Sequence, residues 1–166
     1  MYYKISDFQK DWQFELEATL KVMKNLSDAS LRQEVVPEGR TLGFIAWHVT
    51  LAVGEMIKKT GLSPDCPGRD DSVPEKAMEI CLAYEKAAKS ALEKITSEWT
   101  DETLLVEDDM FGQKWARGNT LSALSAHQIH HRAQMTVLMR QAGLLVPGVY
   151  GPAKEEWSQM GMPAQK

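Results

Sequence analysis

Little in this chain belongs to a secreted, membrane-spanning or covalently stapled protein. Only two cysteines, Cys66 and Cys81, occur in 166 residues. Two are too few for a disulfide framework, and these two are not spaced as a paired zinc motif. Cys81 falls on an apolar helical stripe and reads as a small buried hydrophobe. Cys66, between Pro64 and Pro67, reads as an exposed loop thiol with no activating neighbour. No uncharged run approaches the length of a membrane span, and the first residues lack the charged and apolar regions of a signal peptide. A cytoplasmic protein with no membrane partner is therefore expected. Basic residues are not in excess, with 19 Lys and Arg against 23 Asp and Glu and a formal net charge of −4. They are also scattered, so nucleic acid is not an expected partner. No repeat, low-complexity tract or linker divides the chain. One domain over residues 1–166 is expected, long enough to bury roughly 70% of its unfolded surface around one core.

What the chain does have is helical periodicity, in four segments. The first opens at Ser6, with Gln9 completing a capping box. Its stripe is Ile5, Phe8, Trp12, Leu16, Leu20, Met23 and Leu26, ending near Ser27. Residues 27–40, with Pro37 and Gly39, read as a loop. Thr41 caps the second helix, which runs to about Thr60 with Leu42, Ile45, Ala46, Val49, Ala52, Val53, Met56 and Ile57 on one side. Phe44, Trp47 and Leu51 lie on the other, so this helix is either central or covers a partner. Ser72, Pro74 and Glu75 mark a third start. Ala77, Cys81, Tyr84, Ala88, Ile95 and Trp99 follow. Between Thr100 and Asn119 the pattern lapses into an irregular loop or a small hairpin. The last helix takes Thr120 as its cap and Gly143 as its stop, with Pro147 beyond. Four such stripes imply an all-α four-helix bundle, and connections of a dozen residues or more permit a crossover between helices that are not neighbours in sequence.

Three of the four histidines crowd into this last helix. At about 100° per residue, Leu124, His127, His131, Met135, Leu138 and Ala142 share one stripe, with His130 a quarter turn away. Two imidazoles one turn apart on a buried face each need a partner, and one cation supplies both. His48, at the margin of the second helix's stripe, can join them, because core-facing residues of different helices converge in a bundle. Three neutral imidazoles with a remaining open position match a catalytic zinc site. Such donors suit zinc, nickel or ferrous iron about equally. The arrangement is not a zincin helix, since Gln128 stands where that motif needs glutamate as base. Gln134, three residues after His131, is a candidate for orienting a ligand. Glu55, two turns beyond His48, reads either as a solvated carboxylate or as a catalytic base beside the metal.

The run His127, His131-Arg132-Ala133-Gln134, Leu138, Arg140, Gly143, Pro147 and Tyr150-Gly151-Pro152 resembles the end of the DinB/YfiT-like family. The segment Thr41-Leu42, Ile45-Ala46-Trp47-His48 is similar to that family's second-helix signature. One departure is Ala133, where glycine is frequent. The resemblance implies a four-helix bundle with a crossover, a homodimer, and a divalent cation held by His48, His127 and His131. It also implies a metal-dependent transferase or isomerase that joins a low-molecular-weight thiol to a small-molecule substrate, or a hydrolase.

A bound dication can lower the pKa of a thiol or a water and hold the anion for attack. Glu55, Tyr84, Arg117 and Tyr150 are candidates for the pocket wall. Two other classes share parts of this pattern. One is a noncatalytic metal-binding protein. The other is a metal-free interaction module that uses Trp47 and Leu51 as a dimer face.

Overall fold

Each expected stripe becomes a helix. The computed structural model describes residues 1–163 and has α1 (Ile5–Met23), α2 (Leu42–Lys58), α3 (Ala77–Glu98) and α4 (Arg117–Gln141). A two-stranded antiparallel hairpin, β1 (Glu107–Met110) and β2 (Gln113–Ala116), leads directly into α4. Both α1 and α2 pack against α3 and against α4. Helices α1 and α2 therefore stand at opposite corners of a four-helix bundle, and the connections from α1 to α2 and from α3 to α4 cross its diagonals. This is the crossover that the long connections allow.

The core is the meeting of the four stripes. Phe8, Trp12, Leu16, Leu20 and Met23 of α1 face Ala77, Cys81, Tyr84, Ala88 and Ile95 of α3, with Ile45, Val49 and Val53 of α2 and Leu124, Met135 and Leu138 of α4, all buried. Burying each large side chain here contributes about 1.5–3 kcal/mol. Fully buried Ala87, Ala88 and Ala91 keep one face of α3 narrow. Trp12 exploits that narrowness, its Nε1 donating to the Ala88 carbonyl at 3.1 Å.

Helix beginnings depart from local expectation, because distant side chains do the capping. Helix α1 has no cap from Ser6; the Ile5 N–H donates instead to Asp101 Oδ1 at 2.8 Å, from 96 residues away. Helix α3 begins at Ala77 rather than at Ser72, and its Ala77 N–H donates to Asp28 Oδ1 at 2.9 Å. Helix α4 starts at Arg117, so Thr120 is not a cap but a fully buried residue inside the first turn. The chain before the helix contributes instead: Arg117 N–H donates to the Val106 carbonyl at 2.9 Å, which satisfies one of the first-turn N–H groups that have no partner within the helix. Two expectations hold as read. Thr41 Oγ1 accepts from the Phe44 N–H at 3.0 Å, and Gly143 closes α4 with φ of +73°.

A helix-face reading and a loop reading need correction. Trp47 is buried by the chain's own connection after α2, donating from Nε1 to the Asp71 carbonyl at 3.1 Å, so it presents no free dimer face. Cys66 is half-buried rather than exposed, seated against Gly54 of α2 where any added Cβ would overlap its sulfur. The stretch before α4 takes the hairpin alternative, turning at Phe111-Gly112 with both φ positive and Asp109 Oδ1 accepting from Gly112 N–H at 3.1 Å. Among the described residues, no helix is long and apolar enough to cross a membrane.

Candidate metal centre

Helices α2 and α4 are packed neighbours, and this contact assembles the site. On α4, one turn separates His127 from His131, so their imidazoles lie side by side with centroids 4.4 Å apart. His48 comes across from α2, its ring 4.9 Å from His127 and 4.7 Å from His131, edge-on to both. One ligand nitrogen from each ring falls within 4.8 Å of the others. The closest pair, His48 Nε2 and His127 Nε2, is 3.1 Å apart. Nitrogens bound tetrahedrally to one zinc at about 2.0–2.1 Å stand about 3.3 Å from each other, a spacing that the His48–His127 pair already has.

Protonation states point the same way. Burial pushes His127 down to about 4, helped by the charges that His131 and His48 would carry. His48 is also lowered, first by burial, then by His131 and Arg40, while Glu55 opposes weakly. His131 is lowered by burial, against the contribution of Gln134. At neutral pH the three rings are therefore uncharged, each with a lone pair to donate.

Gln134 fixes one of those lone pairs. His131 Nδ1 lies 2.7 Å from Gln134 Oε1, an atom that only accepts, so the ring proton sits on Nδ1 and the lone pair is left on Nε2. The same amide donates from Nε2 to His130 Nε2 at 3.1 Å, which locks its orientation. The fourth histidine thus serves the site from outside. His127 Nδ1 is buried with no hydrogen-bond partner. On the ring's other side Nε2 meets only the His48 imidazole, so with each ring proton on Nδ1 both lone pairs are left for a cation.

The remaining candidates lie elsewhere. Glu55 pairs with Arg69 at 3.5 Å and acts on His48 only through its charge. Tyr84 is fully buried with its hydroxyl donating to Gln128 Oε1 at 2.7 Å, so it lines no open pocket. Arg117 is held by Asp108 at the hairpin, with Nε 2.8 Å from Oδ2. Tyr150, itself exposed, closes a second polar network with its hydroxyl. Its hydroxyl accepts from Arg132 Nη2 at 2.7 Å and donates to Glu15 Oε1 at 2.6 Å. Arg132 also donates to Thr19 Oγ1 and to the Glu15 carbonyl, and Nη2 meets Glu15 Oε2 as an ion pair at 2.7 Å.

Sequence reasoning missed this network, although a signal was there. Glu15 and Thr19 follow Phe8 and Trp12 at helical spacing, so a charged side chain sits on a core-facing seam of α1. Arg40 was also missed. It precedes the Thr41 cap and stacks its guanidinium over the Phe44 ring at 5.1 Å, while Phe44 lies parallel to His48. No local pattern marks it, because the turn before α2 decides where it goes.

Comparison with known proteins supplies the context. The DinB family model matches residues 1–165. The chain is 45% identical to the uncharacterized protein YrdA of Bacillus subtilis, over all of this chain and 99% of that one. It superposes on a DinB-like protein from Bacillus cereus with a TM-score of 0.87 at 44% identity, covering 90% of this chain and 100% of that one. A DinB-like protein from Bacillus subtilis, YjoA, shares the fold at a TM-score of 0.65 and 14% identity, over 86% and 97% of the two chains.

Proposed function

The chain belongs to the DinB family, and from that membership and its three converging imidazoles we propose a metal-dependent transferase that joins a low-molecular-weight thiol to an electrophilic small molecule. The observation that carries the reading is the set of ligand nitrogens on His48, His127 and His131, gathered within 4.8 Å and uncharged at neutral pH. When bound there, a divalent ion such as zinc, nickel or ferrous iron supplies Lewis acidity that favours the deprotonated form of a thiol or a water.

The chain's own residues do the rest. His48 and His127 present Nε2 from opposing helices, and His131 presents the same atom because Gln134 holds the proton on its far side. Neutral donors leave the full charge of a dication uncompensated, which favours an anionic nucleophile. Thiol transfer then needs no protein base. A thiol ionises near pH 8.5, far below bulk water at about 15.7, so modest assistance suffices. Its proton goes to solvent, and a sulfur–carbon bond forms as the electrophile's leaving group departs. Hydrolysis would ask more, and the polar groups nearby suit it poorly. Gln128 is an amide and Glu55 is engaged by Arg69.

A homodimer is part of the same reading, tested by sedimentation of the purified protein. The activity is tested by loading the full chain with zinc or nickel and following conjugation of several thiols to an electrophile. Turnover that requires the metal and His48 is expected. Equal rates in the metal-free protein, or in His48→Ala, would remove the enzyme.

A further inference from the structure

Beside the histidine cluster, near enough to act on His48 and His131, stands a positive charge that no carboxylate pairs with among the described residues. Arg40 forms no ion pair among the described residues; its guanidinium lies over the Phe44 ring at 5.1 Å, one ring removed from His48. The acidic group that acts on the site, Glu55, is taken by Arg69. Three neutral histidines with a dication between them would add two more positive charges beside Arg40. Such a site accumulates charge of one sign, and like charges this close disfavour each other unless an anion enters between them.

A cavity of about 310 Å³ begins at this arginine and ends at Gln134, the residue that orients His131. Its wall is aliphatic: Val35, Val36, Ile45, Val137 and Leu138. Val35, Val36 and Val137 are more than half exposed, which is unusual for aliphatic side chains gathered around one opening. The two valines are not on a loose loop. Gly39 N–H donates to the Val36 carbonyl at 3.0 Å, Leu42 N–H to the Gln33 carbonyl at 2.9 Å, and Glu34 bridges to Thr41. Glu38 completes that tight turn with φ of +62°, a left-handed conformation costly for a residue with a side chain. The turn thus holds both valines and Arg40 in fixed relation to α2.

We propose that this cavity is the substrate's binding site and that its ligand is a small acid whose aliphatic chain bears the electrophilic carbon and its leaving group, with the carboxylate on Arg40 and the hydrocarbon against Val35, Val36 and Val137. The proposal rests on the reading of the three histidines as a metal centre and names the substrate class for it. Arg40 is the specificity-determining residue. A guanidinium presents parallel N–H donors that match a carboxylate's two oxygens, a geometry that lysine lacks. The aliphatic wall selects chain length, because each methylene taken out of water tightens binding about fourfold.

The test uses the full zinc-loaded chain and titrates acetate, propanoate, butanoate and pentanoate by calorimetry, with 1-pentanol and pentylamine as uncharged and cationic controls. Affinity should rise along the acids and be undetectable for the amine. Arg40→Gln should weaken pentanoate about tenfold, Arg40→Lys by less, and neither should alter the far-ultraviolet circular dichroism, since Arg40 is exposed. Pentanoate binding that changes less than threefold in Arg40→Gln, or that matches 1-pentanol, overturns the proposal. Equilibrium dialysis of zinc on the same samples separates the two failures. If zinc does not bind at all, the metal centre is wrong; if zinc binds and pentanoate ignores Arg40, the acid site alone is wrong.

Discussion

Two adjacent residues of α4, buried His131 and Arg132, open onto two polar clusters that solve the same problem in opposite ways. Arg132 meets Glu15, Thr19 and Tyr150, and charge is answered by charge: the guanidinium donates to Thr19, Tyr150 and the Glu15 carbonyl, and Nη2 pairs with Glu15 Oε2 at 2.7 Å, although no hydrogen bond is aligned on that oxygen. His131 meets His48 and His127, and that group does not close. It has no carboxylate of its own, and the Nε2 atoms of His48 and His127 face each other at 3.1 Å. A polar cluster complete within the chain holds structure together, here tying α1 and the segment after α4 to the bundle. One left incomplete is built around something the chain does not contain.

Breaking the closed cluster should do the most damage. Arg132→Leu leaves Glu15 charged and buried without its partner, a change expected to cost about 3–5 kcal/mol in urea unfolding. The same substitution should leave zinc affinity per folded molecule near that of the parent. Removing a ligand from the open cluster should reverse the pattern. His127→Ala is expected to weaken zinc binding by more than about 100-fold, exceeding the usual cost of losing an outer hydrogen bond to a ligand. Metal-free stability should change little, because His127 is only half-buried and its Nδ1 bonds to nothing. If both substitutions lowered stability equally and neither touched zinc, the contrast between the clusters would be false.

Smaller effects sharpen it. Gln134→Leu frees the His131 ring to choose its tautomer, and zinc affinity should fall about 10-fold, at the low end for such partners. Tyr150→Phe removes one hydroxyl from the closed cluster and should cost about 1–2 kcal/mol of stability with no effect on metal. Titration gives the gentlest probe. His127 ionises near 4 when folded but near its ordinary value of 6.5 when unfolded. The unfolded chain therefore takes up the proton first as pH drops. The stability that a neutral His127 contributes is complete above about pH 6.5 and declines as pH falls toward 4. His48 and His131 shift in the same direction. Denaturant midpoints of the metal-free protein between pH 7 and 4 should show this slope, and His127→Ala should flatten it.

How far these clusters could be read in advance differs for the same reason that they differ chemically. His127 and His131 announce themselves by a spacing of four on an apolar stripe, and His48 follows because its helix has to pack somewhere in the same bundle. Gln134 is legible as the residue one turn from His131. The closed cluster hides better: Arg132 is one more basic residue on a helix until α1 and Tyr150 come to meet it. The caps hide for a related reason. Asp101 and Asp28 serve helices 96 and 49 residues away, and no local pattern encodes such a meeting. Arg40 escapes notice because a tight turn, not a periodicity, positions it.

The four helices, the faces they bury and the two histidines of α4 follow from local order along the chain, since hydrophobic spacing and the helical repeat act within a few residues of each other. Which helices are neighbours is a matter of packing, and with it whether a polar side chain in the core finds its partner in the chain. Arg132 finds Glu15 across the bundle, while the imidazoles find only one another, because the packing of α2 on α4 brings together three groups of the same kind.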